Sequence, residues 1–344
     1  MNSAARTLAR AAVFAACVSS AAPAYADVII GPRVAYYFDN SNLRTSDLQG
    51  LQDARTTIND EVTQDLRDAT GFDDLLVTTV DNGSATNADQ VGFAMYGATV
   101  NFGDDRDRFT FTGMYGSGST TTELVSSREV TVEVADIAFN ELSVIQTVAR
   151  EDVDRLDLEL TWQRRLNENF AVSAGARFER LDISGAGAIA IQETDEVRRF
   201  VAETLGEEAP SRNLDGANTP NAQVTQRTLE TFSARAGVTA FVPFNDQAVA
   251  FFNGMVQGSY QPSSEFRTAF IGLNGEEVRE EIRKDRGEMS VGPDIAVGVQ
   301  LILSDNLAID MRYRAIVFFP ISGDFSFSDS RVNHGVNLGL SLRL

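Results

Sequence analysis

From Val332 to the last residue the chain alternates with a period of two. Val332, His334, Val336, Leu338, Leu340, Leu342 and Leu344 hold one phase, and Asn333, Gly335, Asn337, Gly339, Ser341 and Arg343 hold the other. One phase is greasy and the other small or polar, the signature of a β-strand with one apolar face. The pattern recurs upstream. Leu307, Ile309, Met311, Tyr313, Ala315, Val317 and Phe319 alternate with a phase that includes Asp310, Arg312 and Arg314. Val291, Ile295, Val297, Val299, Leu301 and Leu303 oppose Gly292, Asp294, Gly298 and Gln300. Leu156, Leu158, Leu160 and Trp162 oppose Asp157, Glu159, Thr161 and Gln163, and Phe170 to Phe178 repeats the motif against Ser173, Gly175, Arg177 and Glu179. Weaker alternation over 28–38, 91–102, 108–117, 228–244 and 248–260 brings the expectation to ten strands.

The connections alternate too. Tight polar turns follow apolar residues at Phe102-Gly103-Asp104, Leu166-Asn167-Glu168, Phe244-Asn245-Asp246 and Leu303-Ser304-Asp305. Between them lie long connections at 39–90, 118–153, 186–227 and 261–287, and a shorter one at 323–331. Short turns at one end, long loops at the other and an even strand count predict an all-β fold, an antiparallel up-and-down transmembrane β-barrel. Both termini then share the short-turn, periplasmic end. Pairing of the last strand with the first removes the free edge, so nothing need follow Leu344. A soluble sandwich also alternates, but it does not require aromatics such as Phe102, Trp162, Phe170, Phe244 and Phe319 near strand ends.

Residues 129–150 raise a twelve-strand alternative, because Phe139-Asn140-Glu141 repeats the tight-turn signature. The phase breaks at Asp136, and the segment reads better as an excursion of the second long loop. Three loops carry helical spacing: Leu48, Leu51, Ile58, Val62 and Leu66; Val197, Phe200, Val201 and Leu205; and Asn274 with Glu277, Val278, Ile282 and a Glu280–Lys284 pair. The last combines a capping-box variant with a one-turn ion pair.

Residues 1–26 read as a cleavable export signal, with Arg6 and Arg10, a short apolar run, and Ala24-Tyr25-Ala26 before Asp27. The competing reading makes Cys17 a lipidated residue. Cleavage removes that only cysteine, so the domain over 27–344 folds without a disulfide. It leaves 27 basic residues against 49 acidic ones, a balance that argues against nucleic-acid partners. No apolar run approaches the ~20 residues of a membrane helix.

The strand pattern, the SLRL ending and the stretch RLNENFAVSAGARFERLD resemble the OmpA-like and small porin-like outer-membrane barrels of Gram-negative bacteria. The resemblance spans the mature chain and implies an outer-membrane location. It also implies partnership with the barrel-assembly machinery, read through the terminal residue, here Leu344 in place of the usual aromatic.

Candidate chemistry is sparse. An omptin-type protease needs paired aspartates and an Asp–His pair at the extracellular rim. This chain offers the single His334, with Asp329 five residues before it, and Asp104 and Asp105 at the opposite end. A Ser–His hydrolase would need an orienting third group beside His334. No metal-ligand spacing or phosphate loop points to a cofactor, and the expectation is no enzyme. Better supported is a charged lumen: Arg33, Asp157, Glu159, Arg177, Glu179, Arg235, Asp294, Asp310, Arg312 and Arg314 all fall on the inward phase. Five arginines face five carboxylates, and a narrow barrel should pair them, with Arg312 and Arg314 beside Asp294. Residues 40–90 add ten carboxylates against three arginines, suited to divalent cations bridging to lipopolysaccharide, although DNGSATNAD lacks the spacing of a dedicated calcium loop. The expected role is structural or surface-interacting. A narrow channel for small polar solutes is the alternative, and an outer-membrane hydrolase comes third.

Overall fold

Among the described residues, thirteen antiparallel strands form one sheet, ten of which close into a ring. The computed structural model describes residues 27–40, 76–86, 91–104, 106–134, 137–193, 220–272, 277–284, 286–321 and 330–344. The strands are β1 (Asp27–Asp39), β2 (Leu76–Thr86), β3 (Val91–Gly103), β4 (Asp107–Val134) and β5 (Ile137–Arg165). They continue as β6 (Phe170–Glu193), β7 (Pro220–Asn245), β8 (Ala248–Gln261) and β9 (Glu265–Gly272). The last four are β10 (Glu277–Lys284), β11 (Glu288–Ser304), β12 (Leu307–Pro320) and β13 (Arg331–Arg343). The ring runs β1-β3-β4-β5-β6-β7-β8-β11-β12-β13 and back to β1. Its closing seam pairs Ile29 with Arg343 and Asp39 with Asn333, and the Leu344 amide reaches the Val28 carbonyl at 3.0 Å. Every strand of the ring therefore has two neighbours, which satisfies its backbone without water.

The polarity of the ring is inverted relative to a water-soluble domain. Val34, Tyr96, Leu160, Val238, Val256, Val297, Met311, Val336 and Leu338 are exposed, while Arg33, Glu159, Arg177, Glu179, Asp294 and Arg314 are buried. A sandwich would place these sets the other way round. Lipid solvates the exposed set, and side-chain burial alone thus excludes the sandwich.

Aromatics bracket the apolar band. Near the short turns, Phe102 stacks on Phe109 at 5.4 Å, the Trp162 indole donates to Asp107 at 3.1 Å, and Phe170 and Phe244 are exposed. Farther up, Phe178 pairs with Phe232 and Phe232 with Tyr260 across three strands. Eight residues along β6 separate Phe170 from Phe178, about 26 Å along the strand at ~3.3 Å per residue and about 20 Å of height at a tilt of ~40°, which places the two rings toward opposite borders of a membrane-spanning band.

Side chains that mimic backbone acceptors shape the periplasmic turns. Asp104 Oδ1 accepts the amides of Arg106 and Asp107 at 2.8 and 2.7 Å, Asn167 those of Asn169 and Phe170, and Asn245 that of Gln247. The two amides hold the Asp104 carboxyl below its ordinary range. Gly103 adopts φ 135°, and a Cβ there would meet the Asp107 carbonyl oxygen at 2.2 Å.

The long connections contain more strand than alternation alone predicts. β4 and β5 pair without interruption from Asp107↔Arg164 to Val134↔Ile137, so 129–150 is the outer end of one hairpin and not an added membrane hairpin. The hairpin's last described pair is Val134↔Ile137, and Phe139-Asn140-Glu141 lies within strand. β6 and β7 likewise extend beyond the band, and β9 continues above β8 along β7. The helix expected over 274–284 is instead β10, paired with β9 from Glu277↔Ile271 to Lys284↔Glu265. Its charges find cross-strand partners: Lys284 reaches Glu265 at 3.2 Å, and the Arg279 guanidinium lies 5.5 Å from the Phe270 ring. Those contacts and the β9 backbone outweigh a weak cap and a single i,i+4 pair. The helical spacings at Leu48–Leu66 and Val197–Leu205 lie outside the described residues.

Candidate functional site

Alternation sends every second side chain of ten strands into one narrow space, and register decides which of them meet. Three groups of ion pairs result. At the extracellular end, Arg155 donates to Glu179 at 2.9 Å and to Asp157 at 3.4 Å, with Asp39 3.9 Å away. Arg177 grips Asp157 through two bonds of 2.9 and 2.6 Å and also reaches Glu179, while Arg331 spans Asp39 and Glu179. Three arginines meet three carboxylates here. Deeper in the lumen, Arg235 joins Glu159 and Asp294 at 3.0 and 3.1 Å, and Arg314 joins the same two acids. Arg177 links the groups through a 3.4 Å contact to Glu159. The third is Arg33 with Asp310, supported by Thr99 at 2.8 Å and by Asn337. This pair lies over Gly339, where a Cβ would come within 2.5 Å of the Arg33 guanidinium.

Arg312 stands apart from these neutral groups. Among the described residues no carboxylate pairs with it, and its buried Nε has no hydrogen-bond partner. The pairing of Arg312 with Asp294 expected from adjacent strands does not form. Register explains the failure: Asp294 lies opposite Ile316 and Arg314 opposite Ala296, so Arg314 is the diagonal neighbour on the same face. Arg312 lies opposite Gly298, four residues along β11 from Asp294.

Strand alternation missed three members of the network: Asp39, Arg155 and Arg331. Asp39 and Arg331 each lie one residue beyond an expected strand, whereas Arg155 falls inside one, on its inward phase, and was passed over. Arg155 precedes Asp157 by two, Asp39 follows Tyr37 by two, and Arg331 precedes Asn333 by two. Continuing the alternation past the apolar phase would have found all of them.

The extracellular half of the lumen is also packed with apolar groups. Tyr37, Val91, Phe93, Met95, Met114, Val153, Leu181 and Leu229 form one buried cluster on inward positions. Arg155 connects cluster and network, its guanidinium 5.3 Å from the Tyr37 ring and 5.7 Å from that of Phe93. Toward the short turns the filling thins: Asn101, Thr110, Thr161, Gln163, Asn253 and Gln300 are only half-buried.

His334 faces outward. It stacks on Phe38 at 5.4 Å and shares a 3.0 Å hydrogen bond with the Tyr313 hydroxyl, so it belongs to the upper aromatic girdle. Asp329 lies outside the described residues, as do most of the acids of 40–90; DNGSATNAD is β2 strand through Thr86. Leu344 is 72% exposed at the end of the closing seam.

No family model matches the chain, and no curated relative does. Among solved structures, the outer-membrane protease OmpT of Escherichia coli is similar at 11% identity and a TM-score of 0.39, over 93% of this chain and 96% of that one. Ail, the attachment invasion locus protein of Yersinia pestis, matches at 12% identity and 0.25, over 59% and 97%. The toluene transporter TodX of Pseudomonas putida matches at 10% and 0.28, over 94% and 90%. The closed ring, the lipid-facing apolar band, the two girdles and the charged interior make this chain an outer-membrane β-barrel protein.

Proposed function

We propose that this protein is a closed barrel that anchors an extracellular sheet, and that its role is structural or surface-interacting. The observation that carries the reading is the inequality of the strands. β1, β3, β8, β12 and β13 have 13 or 14 residues, whereas β4, β5, β6 and β7 have 28, 29, 24 and 26. A tilted barrel strand crosses a membrane in about 9–11 residues. The long strands therefore carry roughly 15 residues beyond the band, about 50 Å of sheet at ~3.3 Å per residue. β2, β9 and β10 widen this sheet on one side of the barrel. Among the described residues β2 and β10 have one strand neighbour each, and a free backbone edge suits an extended segment of another protein. Residues 1–26 would serve for export, and surface carboxylates would recruit divalent cations to neighbouring lipopolysaccharide.

Ion pairs and an apolar cluster filling the upper lumen support closure. The second reading, a narrow channel, draws on the half-buried neutral lining near the short turns. Conductance of refolded protein in a planar bilayer separates the two. The anchor reading expects no stable openings at neutral pH; steady single-channel currents would replace it with the channel.

A further inference from the structure

The lumen arginines and carboxylates leave one cation over. In the enclosed middle of the lumen, among the described residues, seven arginines (Arg33, Arg155, Arg177, Arg235, Arg312, Arg314, Arg331) meet six acids (Asp39, Asp157, Glu159, Glu179, Asp294, Asp310), and the cation without a carboxylate is Arg312. An arginine cannot relieve its desolvation by losing a proton, so the excess charge calls for a counter-ion from outside the chain.

Exposure shows from which side that ion arrives. Above Arg312, toward the extracellular end, Arg314, Ile316, Phe318, Asn333 and Asn337 are all buried. Below it, the half-buried Gln300, Asn253 and Asn101 open toward the short turns. Between Asp310 and those turns, one carboxylate residue among those described holds an inward strand position, Asp27 at the start of β1 opposite Gly103. Arginines on the inward phase at that mouth are Arg108 and Arg343, each engaged in interactions of its own, and Arg165, 5.4 Å from the Phe241 ring. The half-buried amides and hydroxyls there stand among apolar Phe241, Val249 and Phe251 on the same inward phase, which leaves Arg312 as the cation with no protein carboxylate at their upper end.

We infer that the periplasmic half of the lumen is an anion-binding vestibule with Arg312 at its roof. A guanidinium presents a planar fork of donors, which matches a small oxyanion, a phosphate or a carboxylate, better than a spherical halide. The site is independent of the extracellular sheet, so its failure would leave the anchor reading intact.

The test uses full-length mature protein refolded in detergent and held in low-chloride buffer. Inorganic phosphate and acetate are titrated separately, which distinguishes phosphate from carboxylate as the preferred oxyanion. The readouts are calorimetric stoichiometry and the temperature at which heat-modified gel mobility appears. Native protein is expected to bind one oxyanion per barrel and to melt higher as its concentration rises. Arg312→Gln is expected to lose that response and to melt no lower than native protein in anion-free buffer, because it removes a stranded charge. Arg314→Gln strands Asp294 and Glu159, so it should melt lower yet keep the response. Arg312→Lys should keep a weakened response. An Arg312→Gln variant that melts lower or fails to refold would overturn the inference, showing that Arg312 has a partner within the protein. So would an anion response equal in native and Arg312→Gln protein, which would be a general salt effect.

Discussion

Arg155→Met tests the upper plug at its most enclosed point. The Arg155 side chain is 0% exposed, bonded to Glu179 at 2.9 Å, and packed between Asp157, Asp39, Tyr37 and Phe93. Methionine keeps much of the contact with the two rings but leaves two arginines against three carboxylates. Breaking a buried pair costs about 3–5 kcal/mol, chiefly from the charge left behind. Two observations favour the lower end. Glu179 retains Arg177 and Arg331, and Arg155 Nε has no hydrogen-bond partner in the native network. Loss of the cation–π contacts adds a part of the ~2 kcal/mol they are worth when desolvated. An expected loss of about 3 kcal/mol corresponds to a fall of roughly 4–5 °C for a chain of this size.

Barrels of this kind unfold slowly, so the assay is the half-time of conversion between folded and unfolded gel mobilities at fixed temperature, together with the midpoint. Adding Glu179→Gln should return part of the loss, because the double variant again balances two arginines with two carboxylates, and the single losses should not add. The refuting result is an Arg155→Met barrel within about 0.5 kcal/mol of native stability that also conducts ions. Water would then be solvating the orphaned acids, and the upper lumen would be an aqueous pore.

Asp294→Asn and Arg314→Gln should each lower the gel-mobility midpoint, while the double variant loses less than the sum; strict additivity would mean the two do not interact. Gly339→Val should displace the Arg33–Asp310 pair and destabilise the seam, whereas Gly258→Val, where a Cβ meets nothing within 4 Å, should be near neutral in the same assay. The depressed Asp104 carboxyl stabilises its turn above the ordinary aspartate range and loses that contribution as pH falls through its folded value. Acid should therefore loosen the β3–β4 turn in native protein but not in Asp104→Asn, read by amide exchange at Arg106 and Asp107. Leu344→Asp should reduce membrane insertion and leave protein in the periplasm, while Leu344→Phe should not; equal outer-membrane levels of both would refute a role in assembly.

The ring was legible because membrane and lumen impose opposite solvents on alternate residues. Lipid demands apolar groups on one phase only, as at Val336, Leu338 and Leu340, and so writes the strand into the sequence directly. Above the band both faces meet water, the constraint lapses, and the outer halves of β4 to β7 read as loops. β10 shows the same loss: without a lipid-facing phase, an Asn274–Glu277 cap and a Glu280–Lys284 spacing outweighed a strand whose partners lie on β9.

Pairing inside the lumen was hidden for a different reason. Alternation places a residue on a face but carries no information about its height relative to the next strand. Asp294 illustrates the difference, since β12 offers it Arg312 and Arg314 on the same face and only the register selects Arg314. Charge equality misled in the same way. Five arginines against five acids suggested complete pairing, yet Arg155 on the inward phase of β5 and the strand extensions at Asp39 and Arg331 add to the count, which becomes uneven and leaves Arg312 over. A network that was neutral on paper thereby acquires a direction, closed by ion pairs and apolar groups toward the cell exterior, with its surplus arginine on the periplasmic side. Changing Arg312 and changing Arg314, two residues apart on one strand face, should consequently shift stability in different ways, and no property of either residue in the sequence alone distinguishes them.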